Sequence, residues 1–166
     1  MEEYQIIANV IMLIAGICSI LSIFGKRKKN IVFIEFFGTI LRVIGNTIAK
    51  SWTDAISKVI KGIGQALSLK NKFNKTVLVI ISIVFLIISS IIIYLTNDMR
   101  YLVAIIPSLL EFYALLSKST KEYRWYIVIT KIFWTINNII FRLYVGILFD
   151  ALVIIGHMYK LNKKAK

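Results

Sequence analysis

Charge is scarce in this sequence, and negative charge scarcer still. Only 17% of its 166 residues are charged, with 21 Lys and Arg against 8 Asp and Glu; a soluble domain carries roughly a quarter. One cysteine, Cys18, excludes an intrachain disulfide and a thiolate metal site. One histidine leaves no His-x-x-x-His pair, and no Asp-rich motif compensates for it. Gly62-Ile63-Gly64 lies in a helical stretch without the strand that a phosphate loop needs. A nucleophile with a matching base is also missing at helical spacing. The expectation is a protein that is not an enzyme and holds no cofactor or metal.

Apolar sequence fills the space. Hydrophobic residues make up 58% of the chain and the mean hydropathy is +0.79. The charges collect in short clusters between long apolar stretches, the pattern of a chain whose solvent is lipid. A net charge of +13 would point to nucleic acid if it formed a stripe interleaved with aromatics. It lies in loops instead, so nucleic acid is not an expected partner and the lipid bilayer is. Glu2 and Glu3 precede the first apolar run, and no small-x-small site precedes Gly25. The first helix is therefore expected to be retained rather than cleaved.

A helix needs about 20 apolar residues to cross a bilayer, about 17 at the short end. That ruler gives seven spans: Tyr4–Phe24, Ile31–Ala49, Thr53–Leu69, Thr76–Leu95, Tyr101–Ser117, Tyr123–Tyr144 and Val145–Leu161. The third is interrupted by Lys58, Lys61 and Gln65, and the sixth and seventh run together around Arg142–Gly146. The runs are too long and too uniformly apolar for barrel strands. The fold class expected is an all-α membrane protein, residues 1–166 forming one integral membrane domain.

Positive charge orients it. Lys26, Arg27, Lys28 and Lys29 fall in the first loop, Lys70, Lys72 and Lys75 in the third, and Lys118, Lys121 and Arg124 in the fifth. The tail adds Lys160, Lys163, Lys164 and Lys166. The even-numbered loops hold little beyond Lys50 with Asp54, Asp98 with Arg100, and Arg142. The positive-inside rule then puts the C-terminus in the cytoplasm and the N-terminus outside, and the alternation requires all seven spans. Tyr4, Trp52, Tyr101, Trp125, Tyr144 and Tyr159 fall near helix ends, as an aromatic belt would.

A shift of 92 residues aligns the two ends of the chain without a gap. Lys26 falls on Lys118, Lys29 on Lys121, Asn46 on Asn138, Gly64 on Gly156 and Leu69 on Leu161. The spans of residues 4–69 thus correspond to those of 101–161, with the helix at 76–95 as a connector. A single crossing between two three-helix units restores their orientation. The repeats are therefore parallel and related by an axis along the membrane normal, an arrangement found in transporters.

This layout resembles the SWEET and PQ-loop group of small transporters by architecture. The Pro-Gln pair is absent, since the only proline, Pro107, precedes Ser108. A sharper resemblance lies in the C-terminal half. It rests on Ala114-Leu115, on Arg124 opening the sixth helix, and on Trp134-Thr135-Ile136-Asn137-Asn138 as a Trp-x-x-x-Asn motif. Gly146 and an acidic residue, Asp150, follow. In these features the chain resembles the YgjV-like bacterial inner membrane proteins. The resemblance implies a multi-pass protein of the inner membrane and brings no activity with it.

Ionisable groups at membrane depth cost about 2.5–3.5 kcal/mol on insertion scales and face protein or water. Asp54, Lys58, Lys61 and Gln65 share one face of the third helix. They form either an interfacial surface, with an Asp54–Lys58 pair, or a cavity lining. Lys58 corresponds to Asp150 under the 92-residue shift, so the two are expected to neutralise each other across the repeat axis. Gln65 corresponds to His157, read as an interfacial histidine or a proton relay. Asn46 and Asn138 form a symmetric amide pair suited to an uncharged polar solute or to a helix–helix hydrogen bond, and Trp134 lies one turn from Asn138. Glu111, midway along the fifth helix, has no cation near it in sequence and should be neutral there; it is the second candidate for proton coupling. Pro107, one turn before it, marks a hinge or kink. Glu35 reads as an interfacial charge beside Lys28 and Lys29.

Two functions follow. One is a small-solute transporter or facilitator with a cavity lined by Asn46, Asn138, Lys58, Asp150 and Trp134, working by alternating access. The other is a non-transporting membrane partner or assembly protein. Homo-oligomerisation is left open.

Overall fold

The computed structural model describes residues 2–48, 52–97, 99–140 and 144–163. It is all-helical, with seven α-helices among the described residues. They are α1 (Glu2–Ser22), α2 (Lys28–Ile48), α3 (Trp52–Leu69), α4 (Lys75–Thr96), α5 (Ile105–Ala114), α6 (Thr120–Ile140) and α7 (Tyr144–Lys163). The sequence reading put all but the fifth within a few residues of their places, because long apolar runs without breakers leave the backbone no other way to satisfy its N–H and C=O groups. Helix ends follow local chemistry. The Asn74 side chain accepts from the Val77 amide at 2.9 Å to open α4, and Asn97, in the left-handed region at φ 51°, ends it. Ser119 and Glu122 take up the Glu122 and Lys118 amides at the start of α6.

The fifth segment departs from expectation. Instead of one helix over Tyr101–Ser117, a 3-10 helix (Met99–Ala104) leads into the shorter α5. Pro107 is the third residue of α5, in the turn where its missing N–H matters least. It therefore marks a junction between two helix types rather than a kink within one. The charges expected at the opposite end from the basic loops, Lys50, Asp98 and Arg142, lie outside the described residues, as do Lys164, Lys166 and positions 141–143 of the uncertain boundary.

Short connections make sequential helices antiparallel neighbours. α1 packs on α2 and α2 on α3; α5 packs on α6 and α6 on α7. The two triplets meet where α1 touches α7 and where α3 touches α5, which closes a ring of six helices, and α4 lies against α3 and α5. Only 17% of the apolar stretch of α4 is buried, against 39% for α2. It is the natural lipid-facing member.

Polarity runs opposite to that of a soluble protein. Lys58, Lys61, Glu35, Glu111, Arg124 and Asp150 are buried, while Ile6, Val10, Ile17, Ile80, Ile87, Leu148 and Ile155 are exposed. An exposed apolar surface of this extent marks contact with a membrane or with other proteins. Among the described residues, three helices are long and apolar enough to cross a membrane by length and composition, Lys28–Ile48, Lys75–Thr96 and Val145–Lys163; Ile6–Ser22 and Tyr101–Ala114 are apolar but shorter. Trp52, Trp125 and Tyr159 are exposed near helix ends.

Candidate functional site: a buried charge network between the two triplets

The centre of the network is the Glu111 carboxylate of α5. Lys58 Nζ donates to its Oε2 at 3.2 Å, Lys61 Nζ to its Oε1 at 2.9 Å, and Trp134 Nε1 to the same Oε1 at 3.2 Å. The 3-residue spacing of Lys58 and Lys61 on α3 puts both ammonium groups on the face that meets α5. Lys58 Nζ also stands 3.9 Å from the centre of the Trp134 ring, a cation–π contact. From Lys61 the network continues to Glu35 Oε2 at 3.9 Å, which accepts from the Tyr123 hydroxyl at 3.2 Å. All these side chains are buried. Serines add a second α3–α5 link: Ser108 donates to the Ala104 carbonyl at 2.8 Å, and its oxygen meets that of Ser57 at 2.9 Å.

A second group joins α6 and α7. Lys131 Nζ donates to Asp150 Oδ1 at 2.6 Å, and Asn138 Nδ2 to Asp150 Oδ2 at 2.8 Å. Gly146 makes this possible, since a Cβ there would come within 2.7 Å of the Asn138 amide nitrogen. On α2, the Arg42 guanidinium donates to Ser19 Oγ of α1 at 2.5 Å and reaches the Ala15 carbonyl at 3.5 Å. Between these groups lies a cavity of about 20 Å³, room for about one water. Arg42, Lys61, Lys131, Glu35, Glu111 and Thr130 are among the residues that line it.

Several expectations change here. Lys58 and Asp150 do not pair, because α3 neighbours α5 and α7 neighbours α6, so each charge finds a nearer partner. The same contact displaces the surface pairing of Lys58 with Asp54. Glu111 has two cations at hydrogen-bond distance, so the premise that it stands without one fails. Glu35 is buried on Lys61 and Tyr123 rather than lying at the interface beside Lys28 and Lys29. Asn46 is buried in α2 and makes no hydrogen bond to Asn138, whose amide is committed to Asp150. None of Asn46, Asn138, Lys58, Asp150 and Trp134 lines the cavity. Lys58 and Trp134 hold a group that does, Glu111, and Asp150 and Asn138 hold another, Lys131.

The sequence reading passed over Arg42 and Lys131. Their signal was there: each is a lone cation in an apolar run, Leu41-Arg42-Val43 and Thr130-Lys131-Ile132.

At the end of the ring that carries the basic loops, two cations cross between triplets. Lys28 Nζ of α2 donates to the carbonyls of Leu115 and Ser117, just past α5, at 2.5 and 2.8 Å. Arg124 Nη2 of α6 donates to the carbonyls of Ile23 and Gly25, just past α1, at 3.1 and 2.6 Å. The Lys28 amide also donates to Thr120 Oγ1 at 3.1 Å. Helix C-terminal carbonyls lack intrahelical donors, and cations are favoured there. His157 is fully buried at this end. Its Nδ1 lies 2.8 Å from Arg124 Nη1 and accepts from it, since a guanidinium only donates. His157 Nε2 and both polar atoms of Gln65 are buried without a partner.

No curated protein and no solved structure matches the chain significantly. The model of one family, Imp-YgjV, described as bacterial inner membrane protein, matches residues 6–166. An inside-out distribution of charge, an all-helical ring and a match over nearly the whole length lead to one statement of identity: the chain belongs to the Imp-YgjV family of bacterial inner membrane proteins.

Proposed function

We propose that this chain is a small-solute transporter or facilitator of the inner membrane. It crosses seven times, with the N-terminus outside and the C-terminus in the cytoplasm, as two parallel three-helix units, α1–α3 and α5–α7, joined by α4. The observation that carries the reading is the Glu111 network: buried charges from both units meet around a polar cavity at the seam between them. Ionisable side chains at this depth are costly, and in membrane proteins they mark solute or ion paths.

Three features support the repeat. The contact of α1 with α7 corresponds to that of α5 with α3 under the exchange of units. Burial follows the 92-residue shift, pairing Ile31 with Tyr123, Val32 with Arg124, Lys58 with Asp150 and Gln65 with His157. The acceptors of the crossing cations correspond as well, Ile23 with Leu115 and Gly25 with Ser117.

In this reading the Lys28 and Arg124 contacts are the cytoplasmic gate. Each ties the start of one unit's second helix to the end of the other unit's first, so rocking the units apart on that side breaks both. Charged donors on main-chain carbonyls hold the gate shut by a few kcal/mol, an amount that solute binding can offset. The test is solute flux into proteoliposomes, comparing wild type with Lys61→Met and Glu111→Gln. Uptake of some small solute that both variants lose while remaining monodisperse in detergent is the expected result. Equal leak from protein-containing and empty vesicles across a broad solute set sinks the reading.

A further inference from the structure

The class of solute can be read from the charges that face the cavity. Among the described residues that line it, Arg42, Lys61 and Lys131 stand against Glu35 and Glu111. Formally that is one positive charge in excess. Each carboxylate is engaged by a lysine, whereas Arg42 is held by two neutral oxygens, those of Ser19 and Ala15. A guanidinium stays charged in proteins. Arg42 is half-buried, and a cation there whose hydrogen bonds go to neutral oxygens gains when an anion binds beside it.

A second observation points to the same place. Thr130 lines the cavity, is 2% exposed, and its Oγ1 is buried without a hydrogen-bond partner. A native buried hydroxyl is normally satisfied, and this one is an unused donor beside Lys131. Size sets the last limit, because about 20 Å³ admits a single particle of about water size.

We propose that the cavity binds one compact monovalent anion of about the size of a halide between Arg42, Lys61 and Lys131, with the Thr130 hydroxyl as an added donor. The assignment of this anion as the transported solute rests on the transporter reading; the binding site itself does not. Selection comes from charge and size together. A divalent anion overshoots the excess of one, and a polyatomic anion such as a carboxylate does not fit without opening the ring.

The experiment titrates sodium chloride, sodium nitrate and sodium formate into purified protein equilibrated in sodium gluconate, following Trp fluorescence and thermal stability, and then measures flux of the same anions into proteoliposomes. Trp134 touches both Lys58 and Glu111, so an anion drawing on Lys61 changes its surroundings. Saturable binding of chloride, in preference to nitrate and formate, that Arg42→Gln weakens about tenfold or more, that Arg42→Lys largely restores, and that Glu35→Gln tightens by raising the positive excess is the expected result. Glu35→Gln also covers the case in which Arg42→Gln fails to fold, because its predicted change is a gain. Binding with this pattern but no anion flux keeps the site and removes the anion as the transported solute. Flux of a neutral or cationic solute with no saturable response to chloride, nitrate or formate overturns the anion assignment and leaves transport standing. A response that is the same in Arg42→Gln, Glu35→Gln and wild type also overturns it.

Discussion

The two levels at which the triplets meet are built differently. At the basic end, Lys28 and Arg124 reach across in a reciprocal way, and their acceptors, the carbonyls of 115 and 117 and of 23 and 25, correspond under the 92-residue shift. Deeper in the ring there is no such correspondence. Glu111 takes Lys58 and Lys61 on one seam, while its counterpart Ser19 holds Arg42 within the first triplet. The acceptors at the basic end belong to the main chain, which every residue supplies, so the symmetric contact survives change in sequence. The deeper acceptors are side chains, and one substitution alters the pattern. Main-chain acceptors thus give a matched pair of contacts at the basic end, while side-chain acceptors make the deeper level asymmetric.

The comparison breaks most visibly at Glu111. Glu111→Ala leaves Lys58 and Lys61 buried beside a single distant carboxylate and costs about 3–5 kcal/mol, read as a shift of the unfolding midpoint when SDS is titrated into mixed micelles. Replacing the network together, as Glu111→Leu with Lys58→Met and Lys61→Met, recovers most of that loss. Full additivity in the triple variant would contradict a coupled network.

Arg124→Ala comes next. It strips two carbonyls of their donor and His157 of its partner, for about 2–3 kcal/mol, and Lys28→Ala, at a less buried site, costs about 1 kcal/mol. A double variant whose loss exceeds the sum of the two would show that the crossings act as one gate. If Lys28→Ala proves the costlier of the two, the reading of Arg124 as the dominant tie is wrong.

Gly146→Ala sharpens the deeper level, since the added methyl displaces the Asn138 amide from Asp150 at about 1–2 kcal/mol. Asn138→Ala in that background should then cost almost nothing more, and an undiminished second penalty would argue against the displacement. The smallest effect is expected from Tyr123→Phe, which deletes one hydroxyl donor from Glu35 for about 0.6 kcal/mol. The same SDS titration detects it only as a small midpoint shift, and a loss on the scale of Glu111→Ala would place Glu35 rather than Glu111 at the centre.

Much of the frame was legible because its causes are local or average. An apolar run of the right length becomes a helix whatever surrounds it, and capping at Asn74 needs only its neighbours. Pro107 was harder to read. A proline limits a helix in either of two ways, and the choice of a 3-10 to α junction depends on what packs around Ala104 and Ser108. The site was legible by composition and opaque by pairing. Lys58, Lys61 and Glu111 were recognisable as costly charges at depth, while Glu35 read as interfacial because only its sequence neighbours were visible. Arg42 and Lys131 were passed over because their importance lies in facing one cavity.

The sequence by itself determined the solvent, the helices, the clustering of positive charge between them and the 92-residue correspondence, because hydropathy and periodicity act over one element at a time. Only the tertiary structure decided which charges meet. Ring order puts α3 beside α5 and α6 beside α7, so Lys58 goes to Glu111, Asp150 goes to Lys131, and Arg42 is left with neutral oxygens. An ion pair depends on separations of a few ångströms between distant parts of the chain, and the packing of the helices is what sets them.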